Sequence, residues 1–291
     1  MYKILDGKKL ASSIKEEISE IINKLNKDDI PTLGILQVGD LAESNIYIKH
    51  KIGIAKEIGM ETILIKLAEN SSEDSIIAAI NDLKQKSDGF IIQLPMQTNQ
   101  VKNTQKILDL IPKHQDIDGL SSLNNDVDYK LMDSFLPATP LGIIILLKHY
   151  NISLTGQNIA VIGQSRIVGY PLSNYFEQLN NKVYRYDKFT PKDTIIKNDI
   201  VVIATGVRNS VSVDLIKPNA VVVDVGIHRI DDKIVGDVDF DTYKDIVSYI
   251  TPVPGGVGPM TVISLILNLI KAKTIANSGL ANLYDRIKKY W

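Results

Sequence analysis

Three runs in the second half of the chain, 159–162, 200–204 and 220–225, are apolar almost without interruption. A strand wetted on one face alternates apolar and polar residues, so a run without alternation must be covered on both faces. That requirement points to a parallel sheet with helices on either side, and a more polar run at 183–186 reads as an edge strand of the same sheet. The expected fold of residues 138–261 is therefore a Rossmann-like parallel-sheet domain. The first half repeats the alternation of types. Leu10, Ile14, Ile18, Ile21 and Leu25 recur at helical spacing, predicting an amphipathic helix over 8–26 that Pro31 ends. A strand at 32–38, a helix at 42–58, a strand at 62–67, a helix at 72–86 and a strand at 90–94 follow. Between 111 and 140 the pattern gives way to polar residues and turn formers, among them Pro112, Asp118-Gly119, Asn124-Asn125 and Pro137, which marks a domain boundary. The chain is thus expected to be α/β with two domains, 1–120 and 138–261. Helices at 261–276 and 281–290 are expected to pack back on the first domain.

Charge and composition narrow the partners. With 33 basic and 34 acidic side chains and no block of one sign, nothing provides the footprint of nucleic acid or anionic lipid. Small molecules are the expected partners, with no nucleic acid and no membrane. Cysteine is absent, which excludes disulfides, thiolate nucleophiles and cysteine-ligated metal together and suits a reducing compartment. The N-terminus lacks the apolar stretch of a secretion signal. The apolar run 262–270 is too short to span a bilayer and reads as a buried helix, so a cytoplasmic location is expected. The four histidines, at 50, 114, 149 and 228, lack ligand spacing, and no metal is expected.

The strand at 159–162 runs into Gly163-Gln164-Ser165-Arg166-Ile167-Val168-Gly169-Tyr170-Pro171 and then a helical pattern. A glycine turn between a buried strand and a helix lets backbone approach a pyrophosphate at the helix N-terminus. Gly163, Gln164, Ser165, Val168 and Gly169 are the candidate contacts, although two glycines alone also fit an ordinary strand-to-helix turn. Two further strands end in glycine, at Thr205-Gly206 and at Val225-Gly226 followed by Ile227, and ligands of open parallel sheets sit at the carboxyl ends of strands. Asp187 closes the second strand of this half, where a carboxylate can accept from a ribose. Lys188 and Arg185 beside it could instead receive a ribose phosphate, and a solvated turn acid is the duller alternative.

Tyr47 and Lys51 share a face of the predicted helix. A lysine serves proton transfer only if burial lowers its pKa, and a surface pair is the competing reading. Gln93-Leu94-Pro95 closes a strand, and Asp116-Ile117-Asp118-Gly119 lies in the boundary loop, so both are expected to face a cleft between the halves. Asp118 could pair with the amidine-like edge of a pterin, or be a plain turn carboxylate. Pro254-Gly255-Gly256-Val257-Gly258-Pro259 brackets three glycines with two prolines, giving backbone that can lie flat on a ligand or simply form a tight loop.

Together these pieces resemble the methylenetetrahydrofolate dehydrogenase / methenyltetrahydrofolate cyclohydrolase family of the bifunctional bacterial type. The resemblance runs through Ile4-Leu5-Asp6-Gly7, Val38-Gly39-Asp40, Ser44, Tyr47, Lys51, Gln93-Leu94-Pro95, Asp116 to Gly119, Thr139-Pro140, Gly163 to Pro171, Asp224-Val225-Gly226, Gly236-Asp237-Val238-Asp239 and residues 251–261, in the family's order. It implies an oxidoreductase and hydrolase of one-carbon metabolism, supplying purine biosynthesis and acting as a homodimer. The first domain, completed by the C-terminal helices at about 262–291, would hold tetrahydrofolate derivatives. The second would bind NADP, or NAD. Lys51 would be the acid/base group, Tyr47 would stack on the folate, Gln93 would tune Lys51, and Asp118 would hold the pterin. Pro254, Gly255 and Gly256 would contact substrate. Gln164 stands where the family usually has Arg, Asp187-Lys188 where His-Ser is usual, Ala138 for a frequent Cys and His228 for a frequent Asn; the first two bear on NAD against NADP. The reversed order of glycine turn and Tyr-x-x-x-Lys argues against a short-chain dehydrogenase. The remaining alternatives are a shikimate-dehydrogenase-like oxidoreductase and a non-catalytic folate- or nucleotide-binding protein.

Overall fold

The computed structural model describes every residue except Met1, Asp126 and Lys130. In chain order its strands and helices are β1 (Lys3–Ile4), α1 (Gly7–Ile22), β2 (Thr32–Val38), α2 (Ala42–Ile58), β3 (Glu61–Leu67), α3 (Glu73–Lys86), β4 (Gly89–Ile92), α4 (Thr104–Leu108), α5 (Ala138–His149), β5 (Asn158–Ile162), α6 (Gly169–Gln178), β6 (Lys182–Tyr186), β7 (Ile200–Ile203), β8 (Val221–Asp224), β9 (His228–Ile230), β10 (Lys233–Val235), α7 (Phe240–Tyr243), β11 (Tyr249–Ile250), α8 (Val257–Ala276) and α9 (Ala281–Ile287). Two compact units result. One contains Ser13–Ala138 and Val262–Trp291, so the C-terminal helices do return to the first half. The other contains Thr139–Thr261 together with the residues up to Ser12.

The first of these units has a three-stranded parallel sheet of order β3-β2-β4. Leu36, Val38, Phe90 and Ile92 meet Ile76, Ile80 and Leu83 of α3 in a buried cluster, the packing that makes a mixed apolar surface choose strand and helix over coil. Ser72 caps α3, its hydroxyl accepting from Ser75 N at 3.2 Å, and Gly59 ends α2 in a left-handed turn at φ 95°. The first helix stops at Ile22 rather than 26. Asn23 and Asn26 are poor helix formers whose amides compete with the backbone, and Asn26 Nδ2 donates to Asp29 Oδ2 at 3.1 Å.

The second unit has a six-stranded, all-parallel sheet of order β1-β11-β8-β7-β5-β6. Strands β7 and β8 are wholly buried, as their unbroken apolar runs require, and β6 is the half-exposed edge. Three features escaped the sequence pattern. β1 joins the sheet beside β11, a two-residue pairing too short for periodicity to register. β9 and β10 form an antiparallel hairpin that turns on Asp231 and Asp232, both at positive φ. The segment assigned to the boundary loop up to 140 already contains the start of α5, because Pro140 sits in its first turn where no N–H is needed. α8 has twenty residues and is long and apolar enough to cross a membrane, longer than the 262–270 run suggests, yet 72% of its apolar window is buried.

Candidate active site

The three-stranded sheet changes direction at β2: the next strand in sequence pairs on one side and β4 on the other. Ligands of open parallel sheets collect at such a switch point, beyond the carboxyl ends of the strands. Beyond β2 the chain turns at Gly39, φ 88°, where a Cβ would lie 2.4 Å from Gln97 Cβ. Asn45 then ties the turn to α2, donating to Asp40 Oδ1 at 2.6 Å while accepting from Gln37 Nε2 at 2.8 Å. Beyond β4, Gln93 N donates to Leu36 O at 2.8 Å, and the Leu94–Pro95 peptide is cis. The two strand ends are thereby fixed side by side.

Lys51 projects from α2 at this point, and its Nζ donates to Gln93 Oε1 at 3.1 Å. Gln93 is itself oriented, its Nε2 donating to Leu94 O at 2.7 Å. Burial pushes the Lys51 amine below the ordinary lysine value, and the charge of Asp118 partly opposes that shift. Sequence position alone could not separate a solvated lysine from this one; the geometry does. Tyr47, one turn earlier on α2, is 44% exposed. Asp118 is half-buried, while its neighbour Asp116 is fully buried. Asp116 accepts from Ser121 N at 2.8 Å, Leu120 N at 3.3 Å and Asn124 Nδ2 at 2.9 Å. Burial raises its pKa and those donors oppose the rise. Asp116 thus shapes the loop that presents Asp118.

The six-stranded sheet has its own switch point, between β5 and β7. Gly163, φ 92°, follows β5, and a Cβ there would stand 2.2 Å from Ala204 O at the end of β7. Gly169 opens α6, and a Cβ on it would meet Gly163 O at 1.8 Å. Both glycines are therefore required by close backbone approach, the arrangement that leaves room for a pyrophosphate at the helix N-terminus. Ser165 is exposed at this turn and Val168 is buried beneath it. The Gln164 side chain does not reach outward: its Nε2 donates to Val161 O at 2.9 Å, and its buried Oε1 has no hydrogen-bond partner among the described residues. At the end of β6, Asp187 Oδ1 accepts from Phe189 N and Thr190 N, both at 2.9 Å, and from Thr190 Oγ1 at 2.7 Å. The Thr190 hydroxyl leads these donors in holding the Asp187 pKa below the usual carboxylate value. Lys188 lies over the Phe189 ring. Arg185 is engaged with Glu177 Oε2 at 2.8 Å and Asn174 Oδ1 at 2.6 Å.

Two carboxylates that the sequence offered only within motifs of the resemblance, without a role, organise the remaining strand ends. Asp237 is fully buried and receives Thr205 N, Thr205 Oγ1 and Gly206 N on Oδ2 at 2.8, 2.8 and 3.0 Å. Asp224 closes β8 and accepts from Gly226 N at 3.0 Å, Asp237 N at 2.9 Å and Val238 N at 3.1 Å. Burial pushes Asp224 up to about 6. Gly226 and Ile227 share a recess of about 290 Å³ with Pro254, Gly255 and Gly256. The sequence assigned these groups to two neighbouring sites, and in the structure they line one recess. Gly255 has φ 110°, the Val253–Pro254 peptide is cis, and Lys8 N donates to Gly255 O at 2.8 Å.

A glycine turn at the switch point of a parallel sheet, with further glycine-ended strands beside it, defines a dinucleotide-binding unit, here joined to a second α/β unit carrying a part-buried lysine. Comparison with known proteins makes that class specific. Residues 5–118 match the tetrahydrofolate dehydrogenase/cyclohydrolase catalytic domain, and residues 137–277 match the NAD(P)-binding domain of the same description. The bifunctional protein FolD of Metamycoplasma arthritidis is 46% identical over all of this chain and 99% of its own length. The bifunctional methylenetetrahydrofolate dehydrogenase/cyclohydrolase of Campylobacter jejuni superposes with a TM-score of 0.89 at 36% identity, over 95% of this chain and all of that one. The Trypanosoma brucei dehydrogenase-cyclohydrolase, solved with NADP and an inhibitor, has a TM-score of 0.86 at 26% identity, over 94% of this chain and 98% of that one. The chain belongs to the tetrahydrofolate dehydrogenase/cyclohydrolase family. The shikimate-dehydrogenase-like alternative is not favoured.

Proposed function

We propose that the chain oxidises methylenetetrahydrofolate with NAD(P) and hydrolyses the methenyl product to formyltetrahydrofolate, two consecutive steps of one-carbon metabolism. The observation that carries this reading is the part-buried Lys51 amine, held below the ordinary lysine pKa by desolvation and hydrogen-bonded to Gln93. NAD(P), when bound, supplies the acceptor for a hydride leaving the methylene carbon. The steep backbone of the Gly163 turn fits such a group, since side chains at 163 or 169 would collide with neighbouring carbonyls. Gly163, Ser165, Val168 and Gly169 would hold it together with Thr205, Gly206, Gly226 and Ile227. Asp187 and Lys188 would face the adenosine ribose.

Hydrolysis adds water to the methenyl carbon, opens one carbon–nitrogen bond and releases one proton overall. A neutral Lys51 would accept the proton from the attacking water and return one to the nitrogen that leaves. Gln93 would fix the amine's direction, Asp118 would bind the pterin edge and Tyr47 would pack on the folate ring. Residues 1–120 with the C-terminal helices are assigned to folate and 138–261 to the dinucleotide, with the qualification that residues 2–12 lie in the dinucleotide unit. A cytoplasmic homodimer is the proposed setting. An absorbance assay with methylenetetrahydrofolate and each dinucleotide tests the reading. Wild type should reduce the dinucleotide without accumulating methenyltetrahydrofolate, and Lys51→Met should lose hydrolysis at least as severely as oxidation. Intact hydrolysis in that variant removes Lys51 from the acid/base role; no turnover in the wild type leaves only a binding protein.

A further inference from the structure

Neither Asp237 nor His228 has a role in the reaction described above, yet the two meet at the centre of the dinucleotide unit. Asp237 lies between β10 and α7 with no exposed surface. A carboxylate taken out of water so completely needs several donors to be tolerated, and an unpaired one would be strongly destabilising. It finds them at two strand ends. Oδ2 gathers the Thr205 amide, the Thr205 hydroxyl and the Gly206 amide, within 3.0 Å. Oδ1 pairs with His228 Nε2 at 2.7 Å, and a Cβ at Gly226 would come within 2.0 Å of the same oxygen.

The turn thus held is not isolated. Thr205 directly follows Ala204, whose carbonyl abuts Gly163 so closely that no side chain fits between them. A displacement of Thr205 and Gly206 would therefore be felt at the glycine turn after β5, and one at Asp237 would be felt at Gly226 as well. A single buried charge couples three strand-end turns, after β5, β7 and β8, which together form the rim where a parallel sheet receives its ligand. The rest of the 205–210 loop has separate tethers: Asn209 N donates to Asp237 O at 2.6 Å, and Arg208 donates to the carbonyls of Gly236 and Val238. What the carboxylate adds is the placement of Thr205 and Gly206.

We propose that Asp237 is a positioning residue for dinucleotide binding, its carboxylate fixing the Thr205–Gly206 turn and the Gly226 turn in register, with His228 steering the carboxylate through its second oxygen. The inference rests on the dinucleotide-dependent reading of this unit. Its test is titration of the whole protein with NAD and NADP by calorimetry, alongside kcat and KM for oxidation. Asp237→Asn removes the charge and one of the two acceptor oxygens: with its remaining oxygen turned to Thr205 and Gly206, its amide nitrogen meets His228. The dinucleotide Kd and KM should rise about tenfold or more, with a smaller change in kcat, the size expected when charge-assisted bonds are lost. His228→Leu should raise the same constants about threefold, and His228→Gln, which restores a donor near the Nε2 position, should return them to near wild type. Should Asp237→Asn fail to fold, the His228 pair decides. Constants within twofold of wild type in folded Asp237→Asn, or equal constants in His228→Leu and His228→Gln, overturn the inference. Absence of dinucleotide binding by wild type would instead overturn the proposed function.

Discussion

The same topological event occurs twice in this chain, a parallel sheet reversing its strand order around a central strand, and the two occurrences treat buried charge in opposite ways. At the reversal around β2, the part-buried Lys51 amine has one hydrogen-bond partner among the described residues, the Gln93 oxygen. At the reversal around β5 and β7, the buried Asp237 carboxylate is saturated by four donor groups. An ammonium has three protons to place, so a site offering one acceptor favours the neutral amine. A carboxylate met by a ring of N–H and O–H groups is held in place by them. The first arrangement suits a group that must change protonation state; the second suits one that must hold backbone in place.

Lys51→Met should break the contrast most sharply. Hydrolysis is expected to fall by about 10² to 10⁴-fold, the span typical of a lost general acid/base. Stability measured by urea unfolding should stay within about 1 kcal/mol of wild type or rise, because an apolar side chain replaces a poorly compensated amine. A loss of several kcal/mol with hydrolysis preserved would make Lys51 structural and equate the two sites. Gly226→Ala probes the other site. Its Cβ would stand 2.0 Å from Asp237 Oδ1, and the forced shift should cost about 3 kcal/mol of stability with a raised dinucleotide KM. A variant as stable as wild type would show that the carboxylate is not held tightly.

Smaller effects sharpen the picture. Asp187→Ser removes a charge that repels a ribose phosphate, so the ratio of kcat/KM for NADP over NAD should rise by roughly three- to tenfold; an unchanged ratio places the ribose elsewhere. The pH profile of hydrolysis gives the finest measure. Because burial lowers the Lys51 pKa, the neutral amine is populated as pH rises through a value below that of free lysine, and the rate should climb through that window. Asp118 acts in the opposite direction, raising the Lys51 pKa. Asp118→Asn should therefore move the rising limb to lower pH by about one unit or less, and a shift to higher pH would contradict the sign of the interaction. Linkage runs the same way: with the folded pKa below the unfolded one, stability should rise with pH between the two, as the penalty on the buried ammonium is relieved.

Much of this is legible in the sequence itself. Strands β5, β7 and β8 follow from apolar continuity, and α2 and α3 from helical spacing, because burial on defined faces leaves a local periodic trace. Lys51, Gln93 and Asp118 could be named as candidates through the family resemblance, but their mutual geometry could not. Burial of a lysine depends on what covers it, and that comes from distant segments. The Asp237 cluster was out of reach for the same reason. Three of its four donors lie about thirty residues away in sequence, and the Gly236-Asp237-Val238-Asp239 motif of the resemblance carried no sign of which groups would meet the acid. Gln164 and Arg185 show the converse: both sit at plausible ligand positions, yet each side chain is already engaged by its own strand or helix.

Among the described residues β1 pairs with β11 alone, so residues 3–4 find their place in the six-stranded sheet only after residue 250 has been synthesised. The dinucleotide half therefore cannot reach its final form as an independent, contiguous piece during synthesis. Excising residues 138–261 for separate expression would leave β11 with an uncovered edge, and appending a bulky tag directly before Lys3 would crowd that edge in the intact enzyme.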